Sequence, residues 1–89
     1  MEDIYRQAPG IPARDVEGVM AVITPRTAEI HQLNATATAI WRRCEQGATR
    51  EALVQHLCDL FHASEGQLRQ DVDQFLAEAL KKGILVASR

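Results

Sequence analysis

The chain has 89 residues, 46% of them hydrophobic and 25% charged, with a formal net charge of -2. That length holds one small domain with a modest core, expected to span residues 1–89 with its essential part at about 8–87. Five Lys/Arg and six Asp/Glu lie in residues 1–48 and the same numbers in 49–89, so no basic stripe for phosphate neutralisation exists and a general polyanion binder is excluded.

Met1–Gln7 lacks a signal-peptide core, and no apolar run approaches the ~18 residues that cross a bilayer. A cytoplasmic chain without membrane contact is the expectation. Pro9, Gly10 and Pro12 make the start an extended lead-in. Arg14–Val16 and Val19–Ile23 flank Glu17-Gly18, which suits a tight hairpin because Gly18 takes positive φ at no cost. Thr24-Pro25-Arg26-Thr27 is a second turn. It leads into a short strand, Ala28–Leu33, with Ile30 on one face and His31 and Leu33 on the other. The first third is therefore a three-stranded meander.

The remainder reads as three helices. Asn34 caps the first, whose apolar positions Ala37, Ile40, Trp41 and Cys44 keep the 3.6 period until Gly47. Thr49 caps the second, with Leu53, Val54, Leu57, Cys58 and Phe61 on one stripe. Ser64-Glu65-Gly66-Gln67 has the form of a capping box for the third, in which Ser64 meets an orphan amide and Gln67 reaches back. That helix buries Leu68, Val72, Leu76, Ala79 and Leu80, carries Lys81-Lys82 at its negative end, and stops at Gly83. Ile84-Leu85-Val86 is a last apolar tail, either a strand or packing under the meander. Strands followed by three helices give an α+β fold, a small winged-helix-like domain.

The residues offer little chemistry. Cys44 and Cys58 fall on core stripes and read as buried reduced thiols. Cys58 and His62 share one side of a helix, but a zinc site needs three or four convergent ligands, and no metal or other cofactor is expected. His31 reads as a half-buried strand residue, His56 and His62 as solvated. Ser64 is explained by its cap, and no glycine-rich phosphate loop exists, so the chain is not expected to be an enzyme. A carrier protein would need a serine in a different setting from Ala63-Ser64-Glu65. A winged-helix DNA-binding regulator is the alternative reading of the fold, but Asp71, Asp73 and Glu78 on the last helix would repel phosphate. The short third strand is more suggestive, because a free edge can accept an extended peptide.

Glu29-Ile30-His31-Gln32-Leu33-Asn34, then Ala35–Trp41, then Gly47-Ala48-Thr49-Arg50-Glu51-Ala52-Leu53, resembles the PqqD-like family of peptide-recognition elements. Asp71-Val72-Asp73-Gln74-Phe75-Leu76 with Lys82-Gly83-Ile84-Leu85 resembles the family's closing helix, and Ala8-Pro9-Gly10 with Arg14-Asp15 its opening. The resemblance implies a peptide chaperone without catalytic activity. It would bind the leader of a ribosomally made precursor as a strand added between the third strand and the third helix. It would then present that peptide to a modifying enzyme, of radical SAM type or another, as a monomer or homodimer. On this chain the implied site is Ala28, Glu29, Ile30, His31, Gln32 and Leu33 facing Asp71, Phe75, Glu78 and Lys82, one flank of the third helix. Phe75 would grip an apolar residue, and Asp71 and Glu78 would attract basic ones. The opposite flank, Arg69 and Asp73, is the second candidate. Members serving pyrroloquinoline quinone synthesis show Asp-Gly after the first helix and Pro-Glu-Arg before the third strand. Here Gln46-Gly47 and Pro25-Arg26-Thr27 stand instead, which points as readily to the precursor of a related peptide-modification system.

Overall fold

The computed structural model describes residues 2–88; Met1 and Arg89, the outermost positions of the expected 1–89 domain, lie outside the described residues. The fold is α+β. Its elements are strands β1 (Ile4–Gln7), β2 (Ala13–Val16), β3 (Val19–Ile23) and β4 (Ile30–Gln32), then helices α1 (Ala35–Arg43), α2 (Arg50–Leu60) and α3 (Glu65–Lys82), and a final strand β5 (Leu85–Ser88). The expected antiparallel meander is present as β2-β3-β4, with β4 at one edge. At its hairpin both Glu17 and Gly18 have positive φ, 54° and 87°, the paired left-handed geometry that matches strand twist. The Asp15 carboxylate accepts from the Gly18 amide at 2.8 Å and holds the turn.

A second sheet was not foreseen. The lead-in pairs with the apolar tail, Ile4 opposite Ser88 and Gln7 opposite Leu85, as an antiparallel β1-β5 ribbon. Tyr5 also exchanges backbone hydrogen bonds with Ala48 in the α1–α2 connection, at 2.8 and 3.0 Å. Gln7 donates its side-chain amide to the Trp41 carbonyl at 2.7 Å. The ribbon thus fastens both outer segments onto the helical half.

The helices begin where their caps predict. Asn34, Thr49 and Ser64 each accept an amide three residues on. Only half of the capping box forms, because the Gln67 side chain turns forward to the Asp71 carboxylate, 2.9 Å away, rather than back to Ser64. The first helix ends at Arg43, with Cys44 as its cap, three residues before Gly47. Ile40, Trp41, Leu53, Leu57, Leu68, Val72 and Leu76 meet Val22 and Leu33 from the sheet and Ile84 and Leu85 from the tail in one core. Each such side chain removes apolar area from water worth about 1.5–3 kcal/mol. Leu80 is an exception to the expected stripe: it is 39% exposed, at the margin of the buried face. Both cysteines are free, Cys44 buried and Cys58 only half-buried. Burial pushes the Cys44 thiol up to about 11, Arg43 opposing weakly, so at neutral pH it is a packed apolar group. His56 is half-buried rather than solvated. No helix among the described residues is long and apolar enough to cross a membrane.

Candidate functional site

The expected strand Ala28–Leu33 is shorter than its sequence suggests, and the reason is local. Thr24 closes a turn across its own side chain: its amide donates to the Glu29 carbonyl at 2.9 Å, and its hydroxyl oxygen accepts from the Glu29 amide at 3.2 Å. The Thr27 hydroxyl donates to the Glu29 carboxylate at 2.9 Å, leaving Thr24 to donate across the 2.5 Å contact between the two hydroxyls. Within this knot Ala28 has φ of 56°, which no strand residue adopts. Ala28 and Glu29 therefore belong to the turn, and β4 starts at Ile30.

The register decides which backbone groups of β4 are free. The Leu33 amide donates to the Met20 carbonyl at 2.7 Å, and the Glu29 carbonyl accepts from Thr24. Along an antiparallel strand such groups alternate sides, so His31 turns its amide and carbonyl to β3 while Ile30 and Gln32 turn theirs outward. Side chains alternate the other way, between faces. Leu33 is buried and His31 half-buried, whereas the Ile30 side chain is 72% exposed.

α3 packs chiefly on α2, α1 and β5, and between it and β4 lies a groove of about 230 Å³. His31, Gln32 and Leu33 line one wall, and Asp71, Phe75, Glu78 and Lys82 line the other. The flank expected from the helical wheel is thus the one that faces β4. Asn34, Thr36 and Ala37 close one end, with Gln74, Ala79 and Ile84 completing the lining; these six were not singled out from sequence. Asn34 was legible only as a cap. Ala28 and Ile30 are absent from the lining, and Glu29 lines a neighbouring space of about 420 Å³ with Thr24, Arg26, Thr27, Glu78, Lys81 and Lys82. Phe75 is half-buried and packs against the core, so it offers the groove one part of its ring and the interior another. His31 Nε2 is buried without a hydrogen-bond partner; the nearest carboxylate oxygen, Glu29 Oε1, stands 3.8 Å away. An orphan polar atom of this kind is uncommon in a settled interior.

The opposite flank of α3 is already occupied. Arg69 reaches Glu51 at 2.8 Å and Glu65 at 2.9 Å, and Arg50 grips Asp73 through Nε and Nη2 at 2.5 and 2.9 Å. Hydrogen bonds from these guanidiniums hold Glu51 and Asp73 below the usual carboxylate range and raise Arg50 and Arg69 in turn. Arg69 and Asp73 therefore clamp α3 to α2 and do not line the groove. Because the folded chain holds the Asp73 proton less tightly than the unfolded one, the clamp contributes above the ordinary carboxylate range and is lost as pH falls through the depressed folded value. Asp73→Asn should lower the urea midpoint at about pH 7 and leave it at the wild-type value near pH 2; an equal gap at both pH values would refute the assignment. The group is exposed, so the effect is small.

Among the described residues no group of three His, Cys, Asp or Glu side chains gathers as a metal site. A family model described as coenzyme PQQ synthesis protein D (PqqD) matches residues 20–85, and no curated protein matches the chain in sequence. Two solved structures share its fold. One is described as TbiB1 in complex with the TbiA(beta) leader peptide, with a TM-score of 0.79 and 19% identity over 90% of this chain and 93% of that one. The other is lasso peptide synthetase B1 complexed with the leader peptide, with a TM-score of 0.77 and 22% identity over 92% and 96%.

Proposed function

The chain belongs to the PqqD family, and on that premise we propose that it is a recognition module without catalytic activity. It binds the leader of a ribosomally made precursor peptide as a strand added to β4 and presents it to a modifying enzyme. The observation that carries this reading is the free edge of β4, with the backbone groups of Ile30 and Gln32 turned outward beside a groove walled by Phe75. Strand addition takes its affinity from main-chain hydrogen bonds and its selectivity from side-chain pockets. Gln32, His31 and Leu33 on one side, and Asp71, Phe75, Glu78 and Lys82 on the other, are the pocket residues in this proposal. His31 Nε2 would gain from the peptide the partner it otherwise lacks. Both structural neighbours were solved with leader peptides, which supports the same class of ligand here. The enzyme served is of radical SAM type or another peptide-modifying class, in pyrroloquinoline quinone synthesis or a related pathway, with the chain a monomer or homodimer. DNA binding is disfavoured by Asp71 and Glu78 on the groove flank of α3, which would repel phosphate.

The test is a titration of isotope-labelled protein with the leader of a short precursor encoded near its gene. Perturbed amides should cluster at residues 30–34 and along the Asp71–Lys82 flank; shifts centred elsewhere would sink the proposal. Phe75→Ala should weaken binding about tenfold or more, since removing a large apolar anchor costs roughly 1–3 kcal/mol of the interaction. An unchanged affinity would remove Phe75 from the site.

A further inference from the structure

The groove is electrically uneven, and we infer that it selects a peptide with an acidic side chain on one side of its apolar anchor. The inference rests on the strand-addition reading above. The two spaces beside α3 share Glu78 and Lys82 and form one trough. Glu29, just before β4, lines one space with Lys81 and Lys82 of α3, which leaves Asp71 and Gln74 with Asn34 and Thr36 toward the far end. β4 and α3 therefore run in opposite directions along it.

Charge follows the same axis. Arg26, Lys81 and Lys82 converge at the end nearest Glu29, and none of the three makes an ion pair among the described residues. The Glu29 carboxylate there accepts from the neutral Thr27 hydroxyl and keeps its charge, so Glu29 and Glu78 stand against three cations and this end keeps a net positive charge. At the far end the charged lining residue is Asp71, itself held by Gln67. A peptide carboxylate is the group that this distribution attracts, and it attracts it at one end.

Helix and strand dimensions set the spacing. Phe75 and Lys82 are seven residues apart, about 10 Å along a helix at ~1.5 Å per residue. An extended peptide covers that distance in about three residues, and only alternate side chains face α3. The acidic residue thus falls about two or four positions from the apolar residue seated on Phe75. It lies on the C-terminal side if the added strand is antiparallel to β4 and on the N-terminal side if parallel, so its position also reports strand direction.

The probe is a displayed library of random peptides of about a dozen residues, selected in parallel against the wild type, Ile30→Pro and the double variant Lys81→Glu/Lys82→Glu. Both lysines are exposed, so the double variant keeps its core, which a thermal melt verifies. Peptides enriched on the wild type over Ile30→Pro should carry Asp or Glu at the stated offset, and the double variant should reverse that preference to Lys or Arg. Changing the acidic residue of a selected peptide to its amide should weaken wild-type binding about three- to fivefold, the range of an exposed ion pair, and should not weaken binding to the double variant. Enriched peptides without an acidic preference, or a preference unmoved by the reversal, would overturn this inference alone. A wild-type pool no richer than that of Ile30→Pro would overturn strand addition as well.

Discussion

Ile30→Pro is expected to weaken leader-peptide binding by at least tenfold while leaving the fold intact. The Ile30 amide faces away from β3, so proline there removes no bond within the β2-β3-β4 sheet. Edge strands tolerate proline for that reason. The preceding residue, Glu29, is pushed toward extended backbone, which suits its place between the turn and β4. What is lost belongs to the incoming strand. Ile30 and Gln32 together offer two donors and two acceptors, each made bond netting about 0.5–1.5 kcal/mol. Removing one donor also strands the peptide carbonyl that it would have met, a penalty of roughly 1–3 kcal/mol, and the ring crowds the approach. Tenfold corresponds to about 1.4 kcal/mol, so the estimate is a lower bound. Fluorescence anisotropy with a labelled leader measures the loss, and circular dichroism checks the fold. Unchanged affinity in a folded variant would mean that the peptide does not add to this edge.

Gly47→Ala is expected to cost the fold about 1–3 kcal/mol, a fall of roughly 5–15 °C in melting temperature for a domain of this size. Gly47 has φ of +84°, where a side chain costs roughly 1–2 kcal/mol. Space is also short: an added Cβ would stand 2.9 Å from Arg6 Nη1 and 3.2 Å from Ile4 Cγ2. The Arg6 tip can swing aside, but Ile4 is fixed in β1 by its pairing with Ser88. The strain therefore falls on the ribbon, and the Tyr5 and Ala48 amides should exchange with solvent faster than those of α2. Adding Arg6→Ala should recover the part due to the arginine and leave the backbone part, a double-mutant separation of the two. A melting temperature unchanged by Gly47→Ala would show that the α1–α2 connection relaxes without cost.

What could be read from sequence was what is encoded locally. Asn34, Thr49 and Ser64 announce helix starts because a capping side chain reaches an amide only three residues away. The family resemblance points to the third helix, helical period about Val72 defines its two flanks, and Phe75 favours the one with Asp71, Glu78 and Lys82, which does line the groove. Ala28 and Glu29 were misread because their departure from a strand depends on a side-chain knot at Thr24, which composition does not reveal. The β1-β5 ribbon was hidden for a different reason. Its partners are 78 to 84 residues apart, and nothing in Ile4-Tyr5-Arg6-Gln7 specifies which segment it will meet. Gln67 donates to the Asp71 carboxylate rather than accepting from the Ser64 amide, a choice between an acceptor one turn on and a donor at the cap that spacing rules leave open.

The pairing of Ile4 with Ser88 brings the two outer strands side by side. The path of the backbone is therefore nearly a closed circuit. A second polypeptide tethered before β1 or after β5 would leave from the same joint and sample almost the same volume around the groove. Either attachment would raise the effective concentration of a catalytic partner near a captured peptide to a similar degree, the linker's length and stiffness setting the value. If the proposed delivery role holds, order along the chain would then matter less than reach.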